Sequence, residues 1–385
     1  MKKNILFYSG SLRMGGIERV LVDVLQNFDR EKYNIDLIIE DENKKLNIFE
    51  KDIPKYINLN YLRSDEFNQK LIYYREKRKS NIFCRIFYQL LMEYGKYINK
   101  NRIQTLTKGK EYDAVIDFDM GLSKFIELIH TKKKIAWVHS NIETWYVKKN
   151  RIKRLGNRLK KYDKVVTICD EMMENTKKLY PFLAEKITRV YNPFNFERVR
   201  ELANESVDEK IKKFYDESYY VSVMRLVTDS KDFPTLIKGF KLAKEKGIQE
   251  KLYILGDGPD RKKVEKMIID EGMEGEIILF GNVKNPYSWI KGAKALIHSS
   301  KYEGLPTVLI EGLILNKKVI SSNCPTGPTE ILEYGKIGDL YAVGDYEKLG
   351  NILLKNMNED REFKWNIDKY NVVTVMKEYE RVIGE

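Results

Sequence analysis

The chain has 385 residues, of which 43 % are hydrophobic, 12 % aromatic and 33 % charged, enough apolar material for two domains with buried cores. This composition excludes a wholly disordered chain, a collagen and a small disulfide-stapled protein. Cys84, Cys169 and Cys324 lie far apart and form no C-x-x-C pair, which indicates neither a disulfide framework nor a structural zinc site. No apolar run approaches the ~18 residues of a membrane span, and the apolar stretch near the first residue is too short for a signal-peptide core. We therefore expect a cytoplasmic protein in a reducing compartment.

The formal net charge of +12 is unevenly distributed. Residues 1–200 hold 41 basic and 26 acidic side chains, a net +15, whereas the remainder of the chain carries a net −3. Basic residues concentrate in 73–102, where aromatic residues interleave with them, and in 148–161, which has eight basic residues and no acid. Such segments suit nucleic acid, an anionic lipid surface or a phosphorylated substrate, although a solvated lysine-rich helix face explains either segment alone. Their occurrence in one half of the chain favours a surface-binding role.

The first half alternates short apolar runs with helical segments. A helix is predicted from about Ile17, and a long amphipathic helix carries apolar residues from Ile82 to Tyr94. The runs that we interpret as strands are 4–8, 35–39, 56–62, 113–118, 134–139, 164–169 and 187–191. Strands of this length alternating with helices predict βαβ units and a parallel sheet.

The turn signal Asn192-Pro193 interrupts this pattern, and a second alternation follows it. Its predicted strands are 219–224, 252–256, 276–281, 294–299, 317–322 and 340–343, with helices over 235–246 and 261–271 and from about residue 305. We predict an α/β protein with two doubly wound, Rossmann-like domains, 1–193 and 194–365, and a helical segment, 366–385, that packs back toward the first domain. The two domains face a central cleft, and ligands bind where the carboxyl ends of parallel strands open.

Two strand-end loops carry residues suited to phosphate. Gly15 and Gly16 precede the first helix, where backbone amides can approach a phosphate, although a tight turn explains the pair equally well. Arg225 and Lys231 flank the loop after the first strand of the second domain. A planar guanidinium and a compact ammonium suit a diphosphate, and two ordinary surface cations are the alternative.

The segment 298–313 holds two carboxylates. Glu303 lies in a loop after a strand, and Glu311 lies two helical turns farther along, past the helix entry formed by Gly304 and Leu305. Carboxylates accept hydrogen bonds from sugar and ribose hydroxyls. The alternative is that Glu303 caps the helix while Glu311 is solvated.

Several segments together resemble the family 4 (group 1) glycosyltransferases of bacterial polysaccharide biosynthesis. The resemblance covers almost the whole chain and is clearest from Tyr191 to Leu340. The segments are ERVLVDVL, SKDFPTLIKGF, LYILGDGP, LFGNVKNPY, SSKYEGLPTVLIEGL and SSNCPTGPTEIL. The family has the GT-B fold and binds a nucleotide-sugar donor mainly in its carboxyl-terminal domain.

The resemblance implies a role for each candidate residue. Glu303 would contact the donor sugar hydroxyls and Glu311 the ribose, as the E-x7-E motif of the family does. His139 would lie at the reaction centre. The remaining donor-binding positions are the diphosphate pair Arg225 and Lys231, the loop glycines Gly15 and Gly16, the base-contacting Asn282 and Val283, and the helix entry Gly304 and Leu305.

The resemblance also implies a reaction. A retaining enzyme would transfer a hexosyl or N-acetylhexosaminyl group, from a UDP-sugar, without a metal or other cofactor and by front-face transfer. Its acceptor would be a glycan or polyprenyl-diphosphate-linked glycan, and the protein would work peripherally on an anionic membrane surface at the inner face of the cell membrane. Asp117-Phe118-Asp119 is then a strand end rather than a metal site, Gly256–Pro259 is a structural turn, and His130 and His298 have core or surface roles.

Two other functions remain open at this point. A nucleic-acid-binding protein could use the basic half, but it would leave Glu303 and Glu311 without a role, so no nucleic acid is expected. A sugar-nucleotide epimerase of the same fold would need no acceptor.

Overall fold

The computed structural model describes residues 2–145, 148–205, 212, 214, 217–355 and 365–384. The chain divides into two compact units, each built around its own parallel sheet. The first unit comprises Met1–Ile168, Met173–Pro193 and Val372–Glu385, and the second comprises Cys169–Met172 and Phe194–Asn371.

The first unit contains a seven-stranded parallel sheet in the order β3-β2-β1-β4-β5-β6-β7. Its strands are β1 (Lys3–Ser9), β2 (Tyr33–Asp41), β3 (Asn58–Arg63), β4 (Ala114–Asp117), β5 (Lys134–Val138), β6 (Lys164–Thr167) and β7 (Ile187–Arg189). Its helices are α1 (Gly16–Gln26), α2 (Asp65–Lys77), α3 (Ile82–Thr107), α4 (Ile142–Trp145), α5 (Lys149–Leu159) and α6 (Asp170–Leu179), whose first residues cluster with the second unit. The central strands β1 and β4 are almost wholly buried because helices cover both faces of a parallel sheet.

The last helix, Val372–Gly384, belongs to this first unit. Tyr379 stacks on Trp137 with ring centroids 4.4 Å apart, and it meets Phe28 edge to face at 6.3 Å. Aromatic burial therefore holds the carboxyl-terminal helix in the unit that the amino terminus begins.

The second unit contains a six-stranded parallel sheet in the order β10-β9-β8-β11-β12-β13. Its strands are β8 (Tyr219–Val223), β9 (Lys251–Leu255), β10 (Ile277–Gly281), β11 (Ala295–His298), β12 (Lys318–Ser322) and β13 (Asp339–Tyr341). Its helices are α7 (Phe196–Ala203), α8 (Phe233–Glu245), α9 (Arg261–Asp270), α10 (Pro286–Gly292), α11 (Thr307–Ile314), α12 (Pro328–Ile331) and α13 (Tyr346–Lys355), and the last helix of the chain is α14 (Val372–Gly384). A core of Leu, Ile, Val and aromatic side chains from α8, α9, α13 and the sheet fills this unit.

The predicted α/β class with two doubly wound parallel sheets is confirmed. Two boundaries differ from the sequence prediction. The second unit runs to Asn371 rather than 365, because Asn371 forms a bridge with Phe194 and Tyr370 packs on the Phe194 ring. Helix α11 begins at Thr307 rather than near Leu305, since the intervening residues form an extended loop. Within the described ranges, no helix is both long enough and apolar enough to cross a membrane.

Candidate functional site

The second sheet reverses its strand order between β8 and β11. From β8 the chain continues to β9 and β10 on one side of the sheet, and then crosses to β11, β12 and β13 on the other side. Lys231 lies in the loop that follows β8, and Glu303 lies in the loop that follows β11. In open α/β sheets this reversal point is where ligands bind, so both residues occupy the expected position.

The carboxylate of Glu303 is held by three donors that all reach the same oxygen, Oε1. The Lys231 ammonium forms an ion pair with it, the Ser300 hydroxyl donates from 2.7 Å, and His298 Nε2 lies 3.2 Å away. Lys231 Nζ also donates to Ser300 Oγ at 3.1 Å. Among the described residues no donor reaches Oε2 of Glu303, so one carboxylate oxygen is anchored and the other is available.

The same contacts set the charges of this cluster. Burial alone would raise the pKa of the Glu303 carboxyl, but the hydrogen bond from His298 and the charge of Lys231 outweigh it and hold that pKa well below its usual range. Burial lowers the pKa of His298, so its ring is neutral at neutral pH and donates through Nε2–H. The cluster therefore presents a fixed carboxylate beside a cation.

Backbone pairing brings the two loops together. Lys231 and Ser300 form an isolated antiparallel bridge, and the Asp232 amide donates to the Ser299 carbonyl at 3.1 Å. The Asp232 side chain then caps α8 by accepting from the Thr235 amide and hydroxyl. The backbone pairing therefore holds the two loops together and places the ammonium and the carboxylate within reach of each other.

Arg225 lies at the exposed start of the same loop, and its guanidinium makes no ion pair with the described residues. The turn at Gly256 and Gly258 packs directly against the backbone of this loop. A Cβ on Gly256 would lie 2.1 Å from the Met224 carbonyl oxygen, and a Cβ on Gly258 would lie 2.3 Å from that of Leu226. The structural role predicted for this turn follows from these close approaches, which only glycine allows.

The loop that carries Glu303 is supported from the opposite side by the turn after β12. The Glu303 amide donates to the Pro325 carbonyl at 3.1 Å, and the Thr326 hydroxyl donates to the Glu303 carbonyl. Gly327 has a φ of 94°, and a Cβ there would lie 2.6 Å from Pro306 Cδ. The S-S-N-C-P-T-G-P segment therefore positions the entry to α11.

The first alternative considered for Glu303 is wrong. The helix α11 has no side-chain cap, and its N-cap residue is Pro306, so the Glu303 carboxylate faces Lys231 and His298 instead. Glu311 is partly buried in the second turn of α11 and is not fully solvated. Gly304 and Leu305 lie between the two carboxylates, where Leu305 is buried.

Asn282 and Val283 follow β10, the edge strand of the same sheet, and precede α10. Asn282 is exposed and Val283 is partly buried. The structure thus places Arg225, Asn282 and Glu303 after three strands of one sheet, at the same carboxyl edge. Of the predicted residues in the second unit, Lys231 and Glu303 form an ion pair.

The remaining predicted residues belong to the first unit. Gly15 caps α1 in an extended conformation, and Gly16 begins the helix. No described atom lies within 4 Å of a Cβ placed on Gly16, so that face of the backbone is open. Asp119 braces the start of this loop by accepting from the Gly10 amide at 2.6 Å, and burial raises the pKa of Asp119 to about 6.

His139 directly follows β5 and is buried, with its ring centroid 4.5 Å from that of Phe118. Burial lowers the pKa of His139 to about 3, outweighing a weaker backbone interaction with Phe118, so the imidazole is neutral. Neither ring nitrogen makes a well-formed hydrogen bond within the described residues. An imidazole without a well-formed partner can still bind a ligand through either nitrogen.

Asp117 ends β4, as predicted, and accepts hydrogen bonds from the Tyr162 hydroxyl and the Leu122 amide. Across the described ranges, no group of three or more His, Cys, Asp or Glu side chains could hold a metal ion. Sequence reasoning missed the contact of Ser300 and His298 with Glu303. The signal that could have found it is spacing, because His298 ends β11 and Ser300 and Glu303 follow it within five positions.

Residues 204–371 match the model of the glycosyl transferases group 1. An uncharacterized glycosyltransferase of Methanocaldococcus jannaschii is 32 % identical over 250 residues, which is 63 % of this chain and 61 % of that protein. A poly(ribitol-phosphate) alpha-N-acetylglucosaminyltransferase of Staphylococcus aureus is 25 % identical over 199 residues, 49 % of this chain and 40 % of that protein. The chain thus covers less than two thirds of these curated relatives.

The solved structures are similar over the whole chain. A crystal structure of an Anabaena protein in complex with UDP and glucose has a TM-score of 0.72, with 16 % identity over 99 % of both chains. At this identity the likeness shows the fold alone. The chain therefore has the GT-B fold, and its similarity to the group 1 glycosyl transferases lies in residues 204–371.

Proposed function

We propose that the protein is a retaining glycosyltransferase that moves a sugar from a nucleoside diphosphate sugar to a hydroxyl of a glycan acceptor. The observation that carries the proposal is the cluster of Lys231, His298, Ser300 and Glu303 at the reversal point of the second sheet. The match of residues 204–371 to the group 1 glycosyl transferases supports the same function, and so do curated relatives named as sugar transferases.

Each group of the cluster has a task in donor binding. Glu303 Oε2 accepts a hydrogen bond from a hydroxyl of the donor sugar, while the three donors on Oε1 keep the carboxylate ionised and oriented. An ammonium has three N–H donors, of which Glu303 and Ser300 take two, so Lys231 has one for a phosphate oxygen. Arg225 supplies the second cation for the diphosphate, and Glu311 accepts from the ribose.

The reaction breaks the bond between the anomeric carbon and the diphosphate oxygen and forms a bond to the acceptor oxygen on the same face of the sugar. Negative charge grows on the departing diphosphate, where Lys231 and Arg225 stabilise it without a metal or other cofactor. The acceptor proton passes to the departing phosphate oxygen. The neutral imidazole of His139 hydrogen-bonds the transferred sugar or the acceptor and does not act as a cation.

The proposal extends to the donor and to the acceptor. We assign a UDP-sugar, and the Anabaena structure of this fold, in complex with UDP and glucose, supports that choice. The acceptor class is a glycan, lipid-linked through a polyprenyl diphosphate, in surface polysaccharide synthesis. Relatives named for poly(ribitol-phosphate) glycosylation and capsular polysaccharide biosynthesis support this class.

The protein also works peripherally at the inner, anionic face of the cell membrane. The support is electrostatic, because residues 1–200 carry the whole net positive charge of the chain. Basic residues near an anionic leaflet each contribute about 1 kcal/mol of attraction. A nucleic-acid-binding role is disfavoured because it gives the part-buried Lys231–Glu303 pair no task.

The experiment that tests the function is a thermal-shift screen against UDP-, GDP- and ADP-sugars, followed by transfer assays with the stabilising donor. A ligand that binds only the folded protein raises its melting temperature. We expect UDP-sugars to do so in the native chain, and Glu303→Gln to lose the advantage of the UDP-sugar over bare UDP. Lys238→Gln is the matched control, because Lys238 is a half-exposed cation on α8 outside the cluster. No shift with any nucleotide sugar would refute the proposal, and conversion of the donor without an acceptor would indicate an epimerase.

A further inference from the structure

The α2–α3 hairpin exposes an apolar face, of which the described part of the chain leaves at least half open to solvent. The first residue of α3 to be buried is Gly95, so its first thirteen positions contain no buried side chain. Seven large apolar side chains of α3 are instead half to two-thirds exposed to solvent. They are Ile82 (60 %), Phe83 (69 %), Ile86 (50 %), Phe87 (50 %), Leu90 (60 %), Tyr94 (55 %) and Tyr97 (60 %).

These side chains form one continuous stripe. At about 100° per residue, the seven positions fall within an arc of roughly 140°, and the buried residues Gly95, Asn99, Ile103 and Thr107 all fall outside that arc. Helix α2 pairs with α3 beside the stripe, since Tyr74 stacks on Phe87 with centroids 5.6 Å apart. In the structure, none of the residues from Ile82 to Tyr94 is buried.

The tip of the hairpin adds a concentration of cations. Arg78, Lys79 and Arg85 line, with Gln89, a surface pocket of about 380 Å³. None of these three cations has a carboxylate partner within 4 Å in the described residues, and the Arg78 guanidinium lies 4.8 Å above the Tyr88 ring. Three unpaired cations around a concavity, next to exposed Phe83 and Ile86, match the chemistry of a phosphate ester joined to hydrocarbon.

We propose that the tip of the α2–α3 hairpin is a binding site for anionic phospholipid headgroups, with the apolar stripe of α3 entering the adjoining leaflet. The cations bind lipid phosphates, and the stripe is removed from water as in an interfacial amphipathic helix. The inference rests on the membrane-surface part of the proposed function and names the hairpin as the element that enters the leaflet, whereas the basic helix α5 adds only charge attraction.

Other occupants fit the surface less well. A second copy of this chain would bring the cations of two tips toward each other, at a cost in repulsion. Nucleic acid would use the cations, but it would leave Ile82, Ile86 and Leu90 without a partner because aliphatic side chains offer no stacking platform. An anionic leaflet satisfies both the charge and the apolar face.

The test measures cosedimentation of the full chain with vesicles made of equal parts of phosphatidylcholine and phosphatidylglycerol. Replacing Arg78, Lys79 and Arg85 by Gln should lower vesicle affinity about 100-fold at low salt, since each cation contributes about fivefold, and should reduce the salt dependence. Phe83→Ser with Ile86→Ser and Phe87→Ser should weaken binding at least about tenfold, and salt should abolish what remains. Vesicle affinity that neither triple variant changes would overturn the proposal.

The matched control replaces three comparably exposed apolar residues elsewhere, Leu46 (47 %), Ile269 (54 %) and Val343 (40 %), by Ser. This variant should bind vesicles as the native chain does. Phe87→Trp provides a second readout that keeps the stripe intact. Brominated lipids should quench this tryptophan, and equal quenching of Leu46→Trp would contradict insertion.

Two further outcomes separate the possible failures. Sedimentation equilibrium without vesicles should give a monomer for native chain and apolar variant alike, and a dimer that the apolar variant loses would show that the stripe is a self-association surface. UDP binding, measured for all variants, reports whether the second unit is folded and able to bind its donor. If the native chain binds UDP but not vesicles, only the hairpin proposal is refuted. If it binds vesicles but no nucleotide, only the proposed glycosyltransferase function is refuted.

Discussion

The ion pair between Lys231 and Glu303 should contribute more to the free energy of unfolding than an ordinary surface ion pair does. The side chains of Lys231 and Glu303 are only 14 % and 18 % exposed. Lys231→Met keeps the hydrocarbon length of the lysine but leaves the Glu303 carboxylate buried with only Ser300 and His298 as donors. Removing one partner of a buried pair costs about 3–5 kcal/mol, because the remaining charge stays desolvated.

We expect the lower end of that range, about 3 kcal/mol, since the Ser300 hydroxyl at 2.7 Å and His298 at 3.2 Å still stabilise the carboxylate. Glu303→Gln should cost about 2 kcal/mol, because an amide oxygen accepts from Lys231 less strongly than a carboxylate does. The double variant removes both charges and should cost about 2 kcal/mol less than the sum of the single variants.

The assay is urea unfolding followed by Trp289, which is buried in the second unit. Replacing Trp137, Trp145 and Trp365 by Phe makes this residue the sole reporter, so the transition of the first unit does not interfere. Lys238→Met, which removes a half-exposed lysine on α8, is the control and should change the free energy of unfolding by less than about 0.5 kcal/mol. Strictly additive single variants would show that the pair is not coupled and that our reading of the cluster is incorrect.

Four further outcomes follow from the same contacts. Arg225→Ala should weaken UDP binding about ten- to hundredfold through loss of a charge-assisted contact, and calorimetry that finds native affinity would remove Arg225 from the site. Glu303→Gln should impair transfer more than UDP binding, because bare UDP lacks the sugar that Glu303 contacts. Glu311→Gln should impair both, because UDP and the UDP-sugar each contain the ribose; identical behaviour of the two variants would contradict this division. Burial raises the pKa of Asp119 to about 6, above its unfolded value of about 3.9, so its contribution to stability is present below pH 4 and is lost as pH rises through 6. Asp119→Asn should therefore flatten the dependence of the melting temperature on pH between pH 4 and 8. An unchanged dependence would contradict this role of Asp119. Reversing the basic face of α5 should weaken vesicle sedimentation in a salt-dependent way while leaving UDP affinity native, and insensitivity to both the reversal and salt would exclude electrostatic attraction. The five substitutions of that last variant are Lys148→Glu, Lys149→Glu, Arg151→Glu, Lys153→Glu and Arg154→Glu.

Periodicity predicted the elements of both sheets because strands of a parallel sheet are buried on both faces and appear as short apolar runs. The strand ends were predicted for the same reason, so Lys231 and Glu303 could be assigned to loops at one edge of the second sheet. Their direct contact could not be predicted, because it depends on the backbone bridge between Lys231 and Ser300, residues that are sixty-nine positions apart in the chain. His298 escaped notice since a test for metal-ligand spacing does not detect a histidine that orients a carboxylate.

The exposed face of α3 shows where a sequence pattern reaches its limit. An apolar stripe from Ile82 to Tyr94 indicates a helix with one apolar face, and in most proteins that face packs against the rest of its own chain. Whether it does here depends on how far the helix extends beyond the sheet, and the first buried residue of α3 is Gly95, thirteen residues after it begins. The cations Arg78, Lys79 and Arg85 also indicate that this end of the helix is exposed, because a buried helix end could not carry three charges without carboxylate partners. Charge at the tip and apolar side chains on the adjoining face therefore support one interpretation that neither supports alone, a helix pair built to meet an anionic apolar surface.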